Sequence, residues 1–359
     1  MTETSLVGYD CAVTDHHLPP DAPPPGDSEL RSDEAVDEAM PTEPGQKKDS
    51  TFTVLVALVA NGLLALAKTV AAFLTGSASM GAEAAHSWAD TGNEIFLLIA
   101  EKRGERPRDD KHPRGYGRAT YVWSLVAAFG LFSAGAVVSI WHGVSELFAE
   151  PSEVSYTVNY VVLGLAFLLE GSSFIQASRQ LKGEASSWGL HPLSYIDRTS
   201  NPTLRAVFFE DFAALLGLVL AGAGIALHQL TGQAAYDAVG SIAVGVLLAF
   251  VAVYLMRRNM QYLLGQTLGS EMWSRVLAAL LAHDAIDRIT YLHVEYVGPQ
   301  KVFVVAAVDL TGDDREPTLA QRLRQVELDI ERNDLIEDAV LTLSLPEDPS
   351  LSPDPPPAG

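Results

Sequence analysis

An α-helical membrane protein, six crossings followed by a small α+β domain, is the fold class that this sequence predicts. Three observations predict it. Hydrophobic residues, 48% of the 359, gather in blocks about 20 residues long, the length a helix needs to cross a bilayer. Lys and Arg recur only in alternate connections between those blocks. Beyond position 264 the pattern changes to amphipathic and alternating runs, the marks of a small mixed domain.

The first stretch, 1–49, holds 12 acids against 3 bases and is rich in proline. It lacks a basic region followed by an apolar one, so no cleavable leader is expected, and it reads as a disordered cytoplasmic tail. Cys11, the single cysteine, excludes a disulfide framework or a thiolate metal site within one chain. No specific role is assigned to His16 and His17.

Six apolar segments follow, at about 52–74, 80–101, 119–148, 156–178, 203–229 and 236–256. Lys47 and Lys48 precede the first. Lys102, Arg103, Arg106, Arg108, Lys111, Arg114 and Arg118 separate the second from the third. Arg179, Lys182, Arg198 and Arg205 fall between the fourth and fifth, and Arg257 and Arg258 follow the sixth. The other three connections carry neither Lys nor Arg. Bases collect on the cytoplasmic side of a membrane protein, so both termini are expected in the cytoplasm. The tails and the missing targeting segment point to a plasma membrane of bacterial type. Within the segments, Gly130, Ser133, Gly135, Gly240, Ser241 and Gly245 suit close helix packing. Asn61 and Lys68 are polar exceptions in the first; Lys68 either lines a pathway or snorkels. His142 and His228 are expected near the outer boundary.

The soluble part reads as a helix over 270–283, strands over 286–297 and 301–310 around the turn Gly298-Pro299, a helix over 316–333 and a strand over 336–345. The divisions are thus 1–49, 50–264, 265–346 and a proline-rich, disordered tail at 347–359. The net charge of −21 excludes nucleic acid as a partner, because neutralising phosphates requires clustered Lys and Arg.

The informative exception to the apolar rule is the second segment. Glu83, His86, Asp90 and Glu94 fall within about 80° of arc at about 100° per residue, with His86 and Asp90 one turn apart on one face. Such a stripe is costly against lipid, so it must face other helices or water. Asp90 lies about 18 Å from the inner end of its helix and Asp211, in the fifth segment, about 14 Å up, at 1.5 Å per residue. His86, Asp90 and Asp211 are therefore expected to meet near the midplane. Glu210 is about 100° from Asp211, so both cannot point equally at one ion; Asp211 is taken as ligand and Glu210 as assistant or substitute. Imidazole nitrogen with carboxylate oxygens suits zinc, whereas magnesium and calcium prefer all-oxygen cages; manganese, iron and cobalt stay open. A buried ion pair without metal is the competing reading. Metal and protons compete for such ligands, and an imidazole makes the competition sensitive near neutral pH.

These residues resemble the cation diffusion facilitator family, the SLC30-type zinc transporters. The likeness covers about 50–345 and rests on His86-xxx-Asp90, on the loop Asp109-Asp110-Lys111-His112-Pro113-Arg114-Gly115-Tyr116-Gly117-Arg118, and on Tyr236-Asp237. His86-Ser87-Trp88-Ala89-Asp90-Thr91-Gly92-Asn93, Trp141-His142-Gly143 and Phe209-Glu210-Asp211 make it most similar to the branch containing zinc transporter nine. The resemblance implies a homodimeric metal/proton antiporter working by alternating access, with a ferredoxin-like cytoplasmic domain for dimerisation. It implies metal ligands at His86, Asp90 and Asp211, with zinc as transported substrate and no cofactor. The fourth ligand position of the family is Val207 here, so Glu210 or water must complete the shell. Asp109 and His112 sit where some members hold an accessory zinc, but the third position is Tyr116, so a weak site or none is expected. Of the cytoplasmic histidines, His283 and His293 do not amount to a sensor cluster. The reading is a transporter of zinc or a similar divalent cation, not an enzyme. The alternative is a non-transporting metal sensor or scaffold with a degenerate site; a hydrolase is disfavoured by the absence of a HExxH-type motif.

Overall fold

The computed structural model describes residues 50–148, 156–312 and 315–353, with side chains from residue 58 onward. The expectations for Cys11, His16, His17 and the rest of 1–49, and for the connection at 149–155, lie outside the described residues. Six long helices form the first part: α1 (Ser50–Thr75), α2 (Ala78–Gly104), α3 (Gly117–Glu146), α4 (Tyr156–Ser187), α6 (Pro202–Thr231) and α7 (Ala235–Leu263). A seven-residue helix that the apolar pattern does not announce, α5 (Pro192–Arg198), precedes α6. Starts and stops follow local chemistry. Ser77 caps α2 by accepting from Met80 N–H, Asn201 caps α6 with Pro202 at its first turn, and Gly232 ends α6 at φ 71°.

Five of these helices are long and apolar enough to cross a membrane: the Leu58–Thr75 part of α1, and α3, α4, α6 and α7. The chain is a multi-pass membrane protein. Its flanks are what lipid requires and water would not tolerate, with Phe73, Leu74, Leu168, Val219 and Phe250 at least half exposed. The exception is α2, which carries Glu83, His86, Asp90 and Glu94. It packs against α1, α3, α6 and α7, so neighbours rather than lipid receive its polar face.

The tightest pair is α3 with α7. A methyl at Gly143 would stand 2.6 Å from the Ala238 carbonyl oxygen, and one at Gly245 2.9 Å from that of Ala136. Ser241 Oγ donates to the Ser139 carbonyl at 2.8 Å. Small residues thus let two backbones touch. Gly130, expected to share in this packing, faces open space.

The second part runs α8 (Ser270–Leu281), β1 (Ile286–Gly298), β2 (Lys301–Leu310), α9 (Glu316–Ile330) and β3 (Ile336–Leu343), the expected α-β-β-α-β order. The sheet order is β1-β2-β3, with β1 antiparallel and β3 parallel to β2. A two-residue turn, Pro299-Gln300, joins β1 to β2, and Gln300 takes φ 55°. One difference concerns the tail. Residues 347–353 were expected to be disordered, yet Leu351 packs against the sheet core, its N–H donates to Ile289 O at 2.7 Å, and Arg288 donates to the carbonyl of Asp348. Apolar packing of the leucine, one backbone bond and one bond from the Arg288 side chain override the proline-rich composition.

Among the described residues, the base-rich connections lie at the end of the bundle that meets this sheet. Arg114 and Arg118 bind Glu295 at 3.3 and 3.1 Å, and Arg108 binds Glu337 at 2.8 Å. Gly117 and Gly298 meet backbone to backbone; a methyl on either would lie within 2.8 Å of the other's Cα. Tyr121 of α3 stacks on Tyr262 of α7, which meets Tyr296 of β1 edge-on. All three belong to the core that fills the sheet. Beside them Arg205 is fully buried. It donates to the carbonyls of Ile196 and Thr199 and to the Tyr262 hydroxyl, fastening α5 to α6.

Candidate metal-transport site

The polar face of α2 looks into a lane bordered by α1, α4 and α6. At the end away from the sheet the carboxylate of Asp237, from the start of α7, accepts the N–H groups of Ala78 (2.8 Å) and Ser79 (3.3 Å), while Ser79 Oγ donates to the Asp237 carbonyl. The unsatisfied N–H groups and positive dipole end of α2 thus meet an anion. This fixes the height of α2 and accounts for the Tyr236-Asp237 pair noted in the sequence.

One turn below Ser79, Glu83 is fully buried and binds Lys68 of α1, Nζ to Oε2 3.1 Å. Lys68 also lies 3.8 Å from Glu170 of α4. It neither snorkels nor faces an open pathway; it is a buried counter-ion. His86 follows, with Nδ1 3.3 Å from Asp90 Oδ1. That pair is in ionic reach but out of hydrogen-bonding alignment, and both His86 ring nitrogens and Asp90 Oδ1 are buried without a hydrogen-bond partner among the described residues. Asp90 is in electrostatic reach of Glu210, Glu170, Lys68 and Asp211. Deeper still, Asn61 Nδ2 donates to Glu94 at 2.6 Å.

From α6, Glu210 is the acid that reaches α2, accepting a hydrogen bond from Asn93 Nδ2. Asp211 turns toward α4 and accepts from Ser173 Oγ at 2.8 Å. The two acids thus face different helices. The reason is helical phase: Glu210, Ala213, Ala214 and Gly217 form the buried stripe of α6, and Asp211 lies about 100° off it. Val207 is partly buried against the core shared by α2, α3, α6 and α7. Among the described residues, no three His, Cys, Asp or Glu side chains gather closely enough to hold a metal ion. His86 and Asp90 are therefore paired, but the expected convergence with Asp211 is not formed in this conformation. The donor set itself, an imidazole with free nitrogens beside carboxylate oxygens, is of the kind that suits zinc.

Glu170 is the residue that sequence reasoning missed. It is a lone acid in an otherwise apolar segment, and only its depth in the fourth span signals it.

Outside the lane, the loop between α2 and α3 spends its candidate ligands on itself. Asp109 Oδ2 accepts the Tyr116 hydroxyl at 2.6 Å, and Oδ1 accepts the N–H groups of Lys111 and His112. The Tyr116 bond foremost holds the Asp109 carboxyl below its usual range. The His112 ring lies against that of Tyr116, centroids 4.1 Å apart. At the end of the bundle away from the sheet His228 is buried with an unpaired Nδ1 and meets Tyr156 edge-on, while the His142 ring packs on Gly81.

The cation efflux transmembrane domain family matches residues 54–264, more than half of the chain. The chain belongs to the cation efflux family. Among relatives of this cation efflux protein, metal tolerance protein C4 of Arabidopsis thaliana is 36% identical over 231 residues, 64% of this chain and 50% of the relative. The human mitochondrial proton-coupled zinc antiporter SLC30A9 is 32% identical over 277 residues, 76% and 49%. Zinc transporter ZitB of Yersinia pestis is 24% identical over 273 residues, 76% and 81%. The resemblance to the zinc transporter nine branch is thus borne out, and the chain spans about half the length of the Arabidopsis and human relatives.

Proposed function

We propose that this cation efflux protein exports a divalent metal ion, zinc foremost, from the cytosol in exchange for protons. The observation that carries the reading is the buried His86–Asp90 pair, one turn apart on α2, with ring nitrogens and a carboxylate oxygen left without partners. Buried polar atoms are costly when unsatisfied, and a dication or protons supply the missing partner. The names of two relatives, a zinc antiporter and a zinc transporter, support zinc as cargo.

His86 and Asp90 form the fixed half of the site, and Glu210 of α6 supplies the third donor by moving from Asn93 to the ion. Asp211, on the α4 side with Ser173, attracts the cation and accepts protons. A ligand must shed its proton before metal binds, so each transported ion displaces protons. Exchange between inward- and outward-open states follows if metal favours one and protons the other. The six long helices are then six crossings, with the basic loops and the sheet in the cytoplasm. The α+β domain pairs two copies into a homodimer. In this reading residues 50–264 transport, 265–346 dimerise, and the bilayer, metal and protons are the partners; the chain is no enzyme.

The test is zinc uptake by proteoliposomes holding the full chain under an imposed pH gradient. Wild type should accumulate zinc and Asp90→Ala should not; uptake by the variant at the wild-type rate would overturn the reading. The valine at 207 favours one rival, a metal sensor that binds without turnover. Zinc binding by wild type with no flux under any gradient would establish that rival.

A further inference from the structure

Lys68 has no counterpart in the scheme above. It is the one lysine or arginine among the described side chains of the lane, against the acids Glu83, Asp90, Glu94, Glu170, Glu210 and Asp211. It is fully buried, and its ammonium bridges carboxylates from two other helices, Glu83 at 3.1 Å and Glu170 at 3.8 Å. A buried amine in that setting does what an inorganic cation would do. It cancels part of the negative potential and occupies the space between two acids. Its field also reaches Asp90 and His86. The grip is not saturated: Glu83 Oε1 has no hydrogen-bond partner and lies against Gly217 of α6, where a methyl would stand 2.7 Å away.

We propose that Lys68 is a resident cation that competes with the transported dication for the negative potential of the lane and so holds metal affinity low enough for release. The inference rests on His86 and Asp90 being the metal site. A carrier must let go of its cargo on every cycle, and a carboxylate cage without an internal positive charge would bind a dication too tightly to do so. The ammonium cannot leave, being tethered to α1, so it lowers affinity without being consumed. A purely structural role makes the opposite prediction. If Lys68 only ties α1 to α2 and α4, removing it loosens the site and weakens binding.

Isothermal titration of the purified full chain with zinc separates the two. Lys68→Met should tighten zinc binding about tenfold or more, as expected for removing a like charge from a low-dielectric interior. Lys68→Arg, which keeps the charge, should bind within about threefold of wild type, since the Coulomb term is unchanged. Glu83→Gln, which keeps Lys68 and removes an acid, should weaken binding; the double variant Lys68→Met/Glu83→Gln restores the wild-type charge count and should bring affinity back toward wild type. Should Lys68→Met not yield folded protein, Glu83→Gln and the double variant carry the test: unchanged affinity in Glu83→Gln would overturn the proposal. So would wild-type or weaker binding by folded Lys68→Met. Asp90→Ala in the same titration keeps the two claims apart. Loss of binding there with an unaltered Lys68→Met sinks the resident-cation role alone, whereas wild-type binding by Asp90→Ala sinks the site and this inference with it.

Discussion

The Asp237 carboxylate accepts the backbone N–H of Ala78 at 2.8 Å across 159 positions of sequence, so the first residues of α7 cap the first turn of α2. The helix that carries the polar lane is therefore hung from its neighbour by an anion at its positive end. Asp237→Ala removes the acceptor for two buried N–H groups. Each buried group left unsatisfied costs about 1–3 kcal/mol, so the variant should melt several degrees lower in detergent. An unchanged melting temperature would show that the cap contributes nothing.

The facing of Glu210 and Asp211 makes a second prediction. Glu210 is turned to α2 and Asp211 to α4, so Glu210→Gln should weaken zinc binding by about tenfold or more, about 1.4 kcal/mol. Asp211→Asn should slow transport while leaving affinity closer to wild type. Equilibrium titration of the two variants side by side checks the ranking, and the reverse order would restore Asp211 as the ligand.

A third concerns the joint between bundle and sheet. Gly117 and Gly298 touch through their backbones, and neither neighbour is a flexible side chain that can give way. Gly117→Ala or Gly298→Ala should destabilise by about 1–3 kcal/mol through overpacking. Thermal unfolding followed by circular dichroism measures it.

The loop after α2 should respond to acid. Its Asp109 carboxyl is held below the usual range, chiefly by the Tyr116 hydroxyl. A depressed carboxylate contributes order that is full above the unfolded-state value, about 3.9 for Asp, and is lost as pH falls through the lower folded value. Hydrogen exchange at the Lys111 amide, whose acceptor is the Asp109 carboxylate, should stay protected at neutral pH and open only in strong acid. Asp109→Ala should leave that amide unprotected throughout.

How much of this was legible beforehand varies with the physics. The long helices follow from apolar length alone, and the alternation of Lys and Arg orders their ends, because both are properties of segments. The α-β-β-α-β order is equally local. What the pattern left open were matters of phase and partnership. Glu210 and Asp211 are adjacent, and which one faces α2 depends on how α6 rolls against α7. Glu170 has no charged neighbour at helical spacing, so nothing in the pattern separated it from a stray acid. Lys68 found Glu83 and Glu170 on two other helices, a meeting that no single segment encodes. Leu351 packs on the sheet core where the prolines around it suggested a loose end.

The stacked tyrosines at the joint carry one more consequence. Tyr121 and Tyr262 come from the bundle, yet they lie in the same apolar cluster as Val304, Ala306 and Leu341 of the sheet. Cutting the chain after α7 would strip two aromatic rings of their cover and leave the Arg205 guanidinium beside a hydrated surface. Heat should therefore disassemble bundle and sheet in one calorimetric event, not two, and the truncated bundle should lose its thermal resistance together with the piece removed.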